Sequence, residues 1–481
     1  MKSLYACFLL FLCCFYATKV VAQDSTFHDT ALTLQKCIEI AIQNNLTVKQ
    51  SELEAQRSKI NYNQAKTNLL PNLSGSIYEY LNQGRSVDPT TYTYVNQQIN
   101  STSYSLGGSI TLFNGFLLWN TIKQNLLTFQ ASKLELQQQK DNLTLNVILA
   151  YLQILNNQEL LNQARNQAVV SQEQVHRSEI LNKDGSIAPY QLADLKGQLS
   201  NDSLSIISSK NNLEAAKVVL AQYMNVPYQK DARYAPLNAE QLSSFSTNNP
   251  DAIYEAALEQ LSMVKASTLR KKSAAKAVSS ARGYLYPTLT FNAYAYTNYS
   301  SASTNSVFSD SSRVATSDYV TLANGSKTYV VTNQSNYRTE KISYRDQFKN
   351  NYNSSLSLGL SVPIFTKWAS RNRIALAKID LKNAELIEDN TRIQLKQSVE
   401  QAFFNTTAAY SRYHTLQNQV SAYTESFKAT EVKFNAGVGN SVDYTVAKNK
   451  LDIANINLIS ARYDYILRTK ILDYYQGKLT W

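Results

Sequence analysis

Two stretches of the chain change their hydrophobic period at a proline. LLPNLSGSIYEYLN (Leu69 to Asn82) and LYPTLTFNAYAYTN (Leu285 to Asn298) each follow a charged, Gln/Asn-rich segment of helical character, then alternate apolar with small or polar residues. Alternation at period two marks a strand whose two faces meet different surroundings. Leu289, Phe291, Ala293 and Ala295 oppose Thr290, Asn292, Tyr294 and Tyr296. Tyr104, Leu106, Gly108, Ile110 and Leu112 oppose Ser105, Gly107, Ser109 and Thr111. Leu356, Leu358, Leu360, Val362 and Ile364 oppose Ser357, Gly359, Ser361 and Pro363. Leu73 to Leu81 is the weakest of the four, because Glu79 falls on its apolar face. About 9 to 11 residues, apolar outward and small or polar inward, is what a transmembrane β-strand needs.

The strands belong to a plan that occurs twice. Pro71 and Pro287 are 216 residues apart, and Ala65-Lys66 meets Ala281-Arg282 at that offset. Leu112-Phe113 then matches Ile364-Phe365 at 252, as do Gly185 with Gly437, Leu199 with Leu451 and Leu220 with Leu472. The offset changes once, which places a longer insert between the two strands of the second copy. Each copy reads as helix, proline, strand, loop, strand, very long helix, glycine turn, helix. The expected division is a leader at 1–22, a first repeat at 23–248 (strand pair 73–112, helical hairpin 116–224) and a second at 249–481 (strand pair 289–364, hairpin 366–476).

Phe116 to Asp184 and Thr366 to Ala436 contain neither glycine nor proline. At ~1.5 Å per residue each is a helix of about 100 Å, a length that belongs to a coiled coil or helical tube. Leu145, Ile148, Leu152 and Leu155 run 3-4-3, as do Ile374, Ala377, Leu381 and Ala384, the seam spacing of supercoiled helices. Pro189 suits a first helical turn, and Ser441 reads as the cap of the last helix.

Composition narrows the setting. Met1 to Ala22 has Lys2, an apolar core and a Val20-x-Ala22 ending, the pattern of a secretory leader. Cys7, Cys13 and Cys14 leave with it, so only Cys37 remains and no internal disulfide can form. The formal charge of +11 falls to +9, with the basic residues dispersed among acids and RKK at 270–272, which contains KK at 271–272, the longest basic run; this argues against nucleic acid. No mature segment reaches the ~18 consecutive apolar residues of a spanning helix, so a membrane would have to be crossed by a β-barrel. His28, His176 and His414 are scattered, and no phosphate loop, serine elbow or paired-cysteine motif occurs. These residues point to no enzyme, metal or cofactor. Trp481 ends the chain as aromatic residues end many outer-membrane proteins, but its element is helical.

Four strands cannot close a barrel, and an open edge in lipid leaves backbone groups unpaired. Closure must come from further copies. Two would give eight strands filled by side chains; three give about twelve and leave a lumen, which the small inward residues favour.

LTLQKCIEIAIQNN near the start, the LLP and LYP helix exits, SVPIF before the second long helix and AGVGNSVDYTVAKNKL at the second tip resemble the TolC family of outer-membrane efflux channels. The resemblance covers essentially the whole mature chain. It implies a mainly α fold with membrane β: a homotrimer whose twelve-stranded barrel sits in outer-membrane lipid above an α-helical coiled-coil tunnel in the periplasm. It also implies a passive exit for small toxic molecules or proteins, docked through a periplasmic adaptor to an inner-membrane transporter. The helix tips at Gly185 and Gly437 would meet the adaptor, and Pro71 and Pro287 would be the helix-to-strand switches. The channel entrance would include Asp443, which matches the first of two family aspartates, while Val446 replaces the second. Gly439 stands in place of an arginine, Phe434 of a tyrosine and Gln191 of a gate aspartate, so the polar latch of the best-known member is not carried over. The insert from Ser300 to Asn350 would face outside the cell; DYVTL and KTYVV around Ala323-Asn324-Gly325-Ser326 signal a hairpin, with a disordered loop as the alternative. A competing reading is a structural stalk or adhesin anchored by a trimeric barrel.

Overall fold

A computed structural model describes residues 31–87, 92–96, 98–237 and 249–478. The leader and Trp481 lie outside the described residues. The chain forms two compact units. One contains the residues up to Leu46, Lys140–Pro250 and Glu400 onward; the other contains Thr47–Gln139 and Asp251–Val399. The units therefore do not follow the sequence repeats, and each repeat supplies both.

The first unit is helical. It holds α1 (Leu34–Asn44), most of α3 (Leu117–Lys183), α4 (Pro189–Met224), the last part of α8 (Ala369–Asn435) and α9 (Ser441–Tyr475). Its apolar seams are buried: Ile148, Leu152 and Leu155 on α3, Leu213 and Leu220 on α4. The fully buried Tyr151 anchors the chain's first described segment, its hydroxyl donating to Leu32 O (2.9 Å) and Ala235 O (2.6 Å). Cys37 is buried, and burial pushes its thiol up to about 12.

The second unit holds α2 (Leu46–Thr67), α5 (Pro250–Gln260), α6 (Ser262–Gly283) and the starts of α3 and α8, together with the strands. Strands β1 (Asn72–Asn82), β4 (Ile99–Asn114), β5 (Thr288–Ser300) and β8 (Asn353–Ser361) form one antiparallel sheet in the order β1-β4-β5-β8. A small ribbon, β2 (Arg85–Val87) with β3 (Tyr94–Asn96), joins β1 to β4.

Register keeps every strand's apolar residues on one face. Ile77 pairs with Tyr104, Leu106 with Ala295, and Phe291 with Leu358; on the other face Ser76 meets Ser105 and Asn292 meets Ser357. Glu79, on the apolar face, accepts a hydrogen bond from its cross-strand partner Thr102 at 2.5 Å. Two details depart from simple alternation. A bulge between Thr111 and Phe113 skips Leu112, so Phe113 takes the place opposite Leu289. β8 stops at Ser361 rather than continuing to Ile364, because its partner begins at Thr288, just after Pro287, and Pro363 has no N–H to donate. The strands instead extend beyond their apolar bands at the far end, through residues such as Ser354 and Asn298 whose backbone pairing needs no apolar side chain.

The insert is ordered. β6 (Thr304–Thr321) and β7 (Lys327–Lys341) form a long hairpin turned at Gly325, whose φ is +81°. The short helix α7 (Tyr344–Asn350) then returns to β5, with Gln347 donating to Ser300 O and Ile342 O.

Candidate functional site

Both helical hairpins turn with the same geometry. Gly185 and Gly437 each have φ +74°. Gly185 N–H donates to Asn182 O and Ser186 N–H to Leu181 O (3.1 and 2.9 Å); Gly437 donates to Phe434 O and Val438 to Lys433 O (3.1 Å each). This paired closure satisfies the last carbonyls of α3 and α8 and needs a left-handed residue. No neighbour lies within 4 Å of where a Cβ would stand at either glycine, so conformation rather than space selects it. Gly439 is the reverse case: its φ is not positive, but a Cβ would stand 3.1 Å from Phe434 N. A side chain in its place would press on the end of α8, whose backbone would have to give by a few tenths of an ångström.

The residues expected at the entrance do different things. Gln191 Oε1 accepts from Ala188 N–H at 3.2 Å, closing the start of α4 behind Pro189. Phe434 is half-buried with its ring centroid 5.0 Å from that of Tyr444, in a cluster with Val175 and Leu195 that also takes in Phe427. It packs the joined tips. Asp443, third in α9, is exposed, and its N–H donates to Asn440 Oδ1 at 2.7 Å. Asn440 is therefore the cap; Ser441 is already helical and buried, its hydroxyl without a partner among the described residues. The two tips are tied by Arg177, which donates to Asn435 Oδ1 (2.9 Å) and Asn435 O (3.1 Å).

Sequence reasoning missed a buried ionic cluster beside these tips. Lys448 Nζ lies 2.7 Å from Asp452 Oδ2 and 3.1 Å from Asp202 Oδ2. Asp202 also accepts from Ser171 Oγ (2.5 Å) and Gln198 Nε2 (2.9 Å). Burial raises the Asp452 carboxyl above the usual aspartate range, against the opposing pull of Lys448. Gln167, Ser171, Gln174 and Ser178, polar residues at seam spacing on α3, are all buried in the structure. Lys448 and Asp452, one turn apart on α9, do not by themselves announce burial.

At the junctions the helical ladder runs out just before each proline. Leu70 N–H donates to Thr67 O and Tyr286 N–H to Gly283 O, after which Pro71 and Pro287 open the strands. The return from strand to helix uses two consecutive left-handed residues in both repeats: Gly115 (+63°) with Phe116 (+61°), and Lys367 (+50°) with Trp368 (+62°). Among the described residues, no helix is long and apolar enough to cross a membrane.

The sequence profile of the family described as Outer membrane efflux protein matches residues 37–226 and 253–473. The Outer membrane protein TolC of Salmonella enteritidis is 23% identical over 459 residues, covering 93% of this chain and 82% of that protein. Among solved structures, the CmeC outer membrane channel of Campylobacter jejuni aligns with a TM-score of 0.74 at 16% identity, over 93% of this chain and 86% of that one. The outer membrane protein VceC of Vibrio cholerae aligns at 0.73 and 12% identity, over 92% and 96%. At these identities the structural likeness establishes the fold.

Proposed function

Because the chain belongs to the outer membrane efflux protein family and is an outer-membrane protein, we propose that it is a passive exit duct, closed by three copies of itself. The observation that carries this is the open sheet. Among the described residues, β1 and β8 each have one unpaired edge, and the apolar face is bare: Leu73 and Leu356 are both 74% exposed. Lipid satisfies such a face, and only further strands satisfy the edges. Pairing β8 of one copy with β1 of the next is a head-to-tail contact that closes on itself. Three copies supply about twelve strands and keep a lumen lined by the serine, glycine and tyrosine face.

The helices support the same assembly. On α8, Leu376, Ile379, Leu386 and Ile393 repeat at seam spacing yet stay exposed, separate from the seam of Ile374, Ala377 and Leu381 that packs on Val278 and Ala281. Leu53 and Ile60 on α2, seven residues apart, are equally bare. A second seam on a helix already packed calls for another helix.

In this reading the paired tips around Gly185 and Gly437 meet a periplasmic adaptor, which couples the duct to an inner-membrane transporter. The cargo is small toxic molecules or proteins. Reconstitution into planar bilayers tests the duct, and light scattering tests the assembly. Discrete conductance steps from a trimer are expected; a monodisperse monomer overturns the assembly, and a trimer that never conducts overturns the duct and leaves the stalk.

A further inference from the structure

We propose that the segment from Ile364 to Arg373 is a binding site for anionic phospholipid, held by its phosphate at the periplasmic leaflet of the outer membrane. The proposal rests on the exit-duct reading for which end of the sheet faces the periplasm. It stands on three observations at the base of β8.

The first is an apolar ledge with a pocket behind it. Ile364 is 95% exposed and Phe365 73%. Behind them lies a cavity of about 190 Å³ lined by Tyr284, Pro363, Thr366, Trp368 and Arg371. Residues so exposed immediately beyond the last strand pair stand where a bilayer's apolar core gives way to headgroups.

The second is unneutralised positive charge. Lys367, Arg371 and Arg373 are all exposed, and none makes an ion pair with a carboxylate among the described residues; the ion pairs of α8 begin further along, at Lys382 and Glu388. The Arg371 guanidinium lies over the Trp368 ring (4.3 Å to the centroid) and that of Arg373 over Tyr284 (4.0 Å). A cation–π contact holds each guanidinium beside an aromatic ring without neutralising its charge, which leaves it able to take phosphate oxygens.

The third is local strain. Lys367 occupies the place that Gly115 holds in the first repeat, and both are left-handed. Glycine is required at 115, because a Cβ there would lie 2.5 Å from Tyr286 Cβ. The second repeat instead carries a lysine in a conformation that favours glycine, directly before a left-handed tryptophan. Strain of this kind persists where the surrounding structure holds it, and it clusters at ligand clamps.

Apolar ledge and cations together select an amphipathic anion. A free phosphate leaves Ile364 and Phe365 uncovered, and a zwitterionic lipid brings its own cation against three more. Native mass spectrometry of the full-length protein with added phosphatidylglycerol or phosphatidylcholine reads the preference directly. Wild type is expected to retain phosphatidylglycerol selectively. Arg371→Gln/Arg373→Gln should lower that selectivity by on the order of tenfold, since each cation near an anionic surface contributes a several-fold preference. As a second readout on otherwise native protein, Trp119→Phe/Trp481→Phe leaves Trp368 as the sole emitter. Brominated phosphatidylglycerol should quench it more than brominated phosphatidylcholine. Three outcomes overturn the proposal: equal retention by wild type and the double variant, lipid displaced by excess inorganic phosphate, or Trp368 quenched by neither lipid, which would place this surface against a neighbouring copy. If conductance persists through any of these, the exit-duct reading stands and only the lipid site falls.

Discussion

Lys448 and Asp202 meet inside the helical unit with Nζ 3.1 Å from Oδ2, each side chain more than nine-tenths buried. With Asp452 in the same contact, one cation answers two carboxylates, so the cluster is short of positive charge even when intact. Lys448→Met leaves both buried acids without their cation, a change that typically costs about 3–5 kcal/mol. Denaturant unfolding should show that loss at neutral pH. The deficit should shrink as the pH falls and protonation removes the unanswered charge. In the wild type, Asp452 has a folded pKa raised first by burial. Its favourable contribution is therefore complete below the unfolded value and is lost as pH rises through the folded one. A deficit independent of pH would show that lost packing, not charge, sets the cost.

Glu388 has the opposite sign. It is buried on α8, accepts from Thr268 Oγ1 (2.7 Å) and Arg392 (3.2 Å), and pairs with Lys271. Burial pushes its carboxyl up, but these three partners outweigh burial and hold it at about 2. Its stabilisation is present above the usual value of 4.5 and is lost as the pH falls from there toward about 2. Glu388→Gln should lower stability at neutral pH by about 3 kcal/mol and flatten the acid limb of the stability curve. An acid limb as steep as that of the wild type would assign the acid sensitivity to other carboxylates.

Alanine should act in opposite directions at two glycines of the same helical hairpin. Gly185 is left-handed, and Gly185→Ala should cost about 1–2 kcal/mol and speed amide exchange at Ser186, whose N–H closes the turn. Gly197 lies inside α4, with open space where a Cβ would stand. Gly197→Ala should therefore stabilise by up to ~1 kcal/mol through helix propensity. Equal effects at both would mean that the tip turn tolerates an L-residue without strain.

The tip glycines were legible in the sequence because a left-handed turn after a long helix leaves a residue-type mark, and the strands because their apolar residues alternate with small or polar ones on opposite faces. The bulge at Leu112 left no such mark: it follows from pairing with β5, which only the folded sheet sets. The position of β8, three residues earlier than its apolar alternation suggests, was misjudged for the same reason, since backbone ladders at Asn353–Ser355 need no apolar side chain. Phe434 and Gln191 show the limit of position alone. One packs against Tyr444 and the other caps α4, and both uses depend on neighbours far away or on a local turn that the sequence does not fix. The Lys448 cluster joins three helices, and its polar seam on α3 reads like any solvated face until α9 covers it.

Sidedness follows from labelling. Buried Cys37, its thiol raised by burial, should stay unmodified, so single cysteines can be added to the native background. Ser326→Cys at the turn of the β6–β7 hairpin should react with an impermeant maleimide on intact cells. Ser186→Cys should react only once the outer membrane is opened. Equal labelling of both on intact cells would invert the topology.

Asp443 carries the last prediction. It is exposed on the first turn of α9, six residues beyond Gly437, and its side chain is not needed for the cap that Asn440 provides. In a trimer whose tips surround the axis, three copies form a ring of carboxylates at the mouth of the duct. Such a ring concentrates cations and repels anions, and its reach falls as the Debye length shortens from about 10 Å at 0.1 M salt to about 3 Å at 1 M. Asp443→Asn should therefore reduce cation selectivity and block by multivalent cations at 0.1 M salt and change little at 1 M. The competing role is local: a negative charge near a helix N-terminus contributes ~0.3–1 kcal/mol whichever way it points. The two separate cleanly in bilayers across a salt gradient. If the reversal potential at 0.1 M is the same for both proteins while the variant melts slightly earlier, Asp443 serves its helix and not the channel.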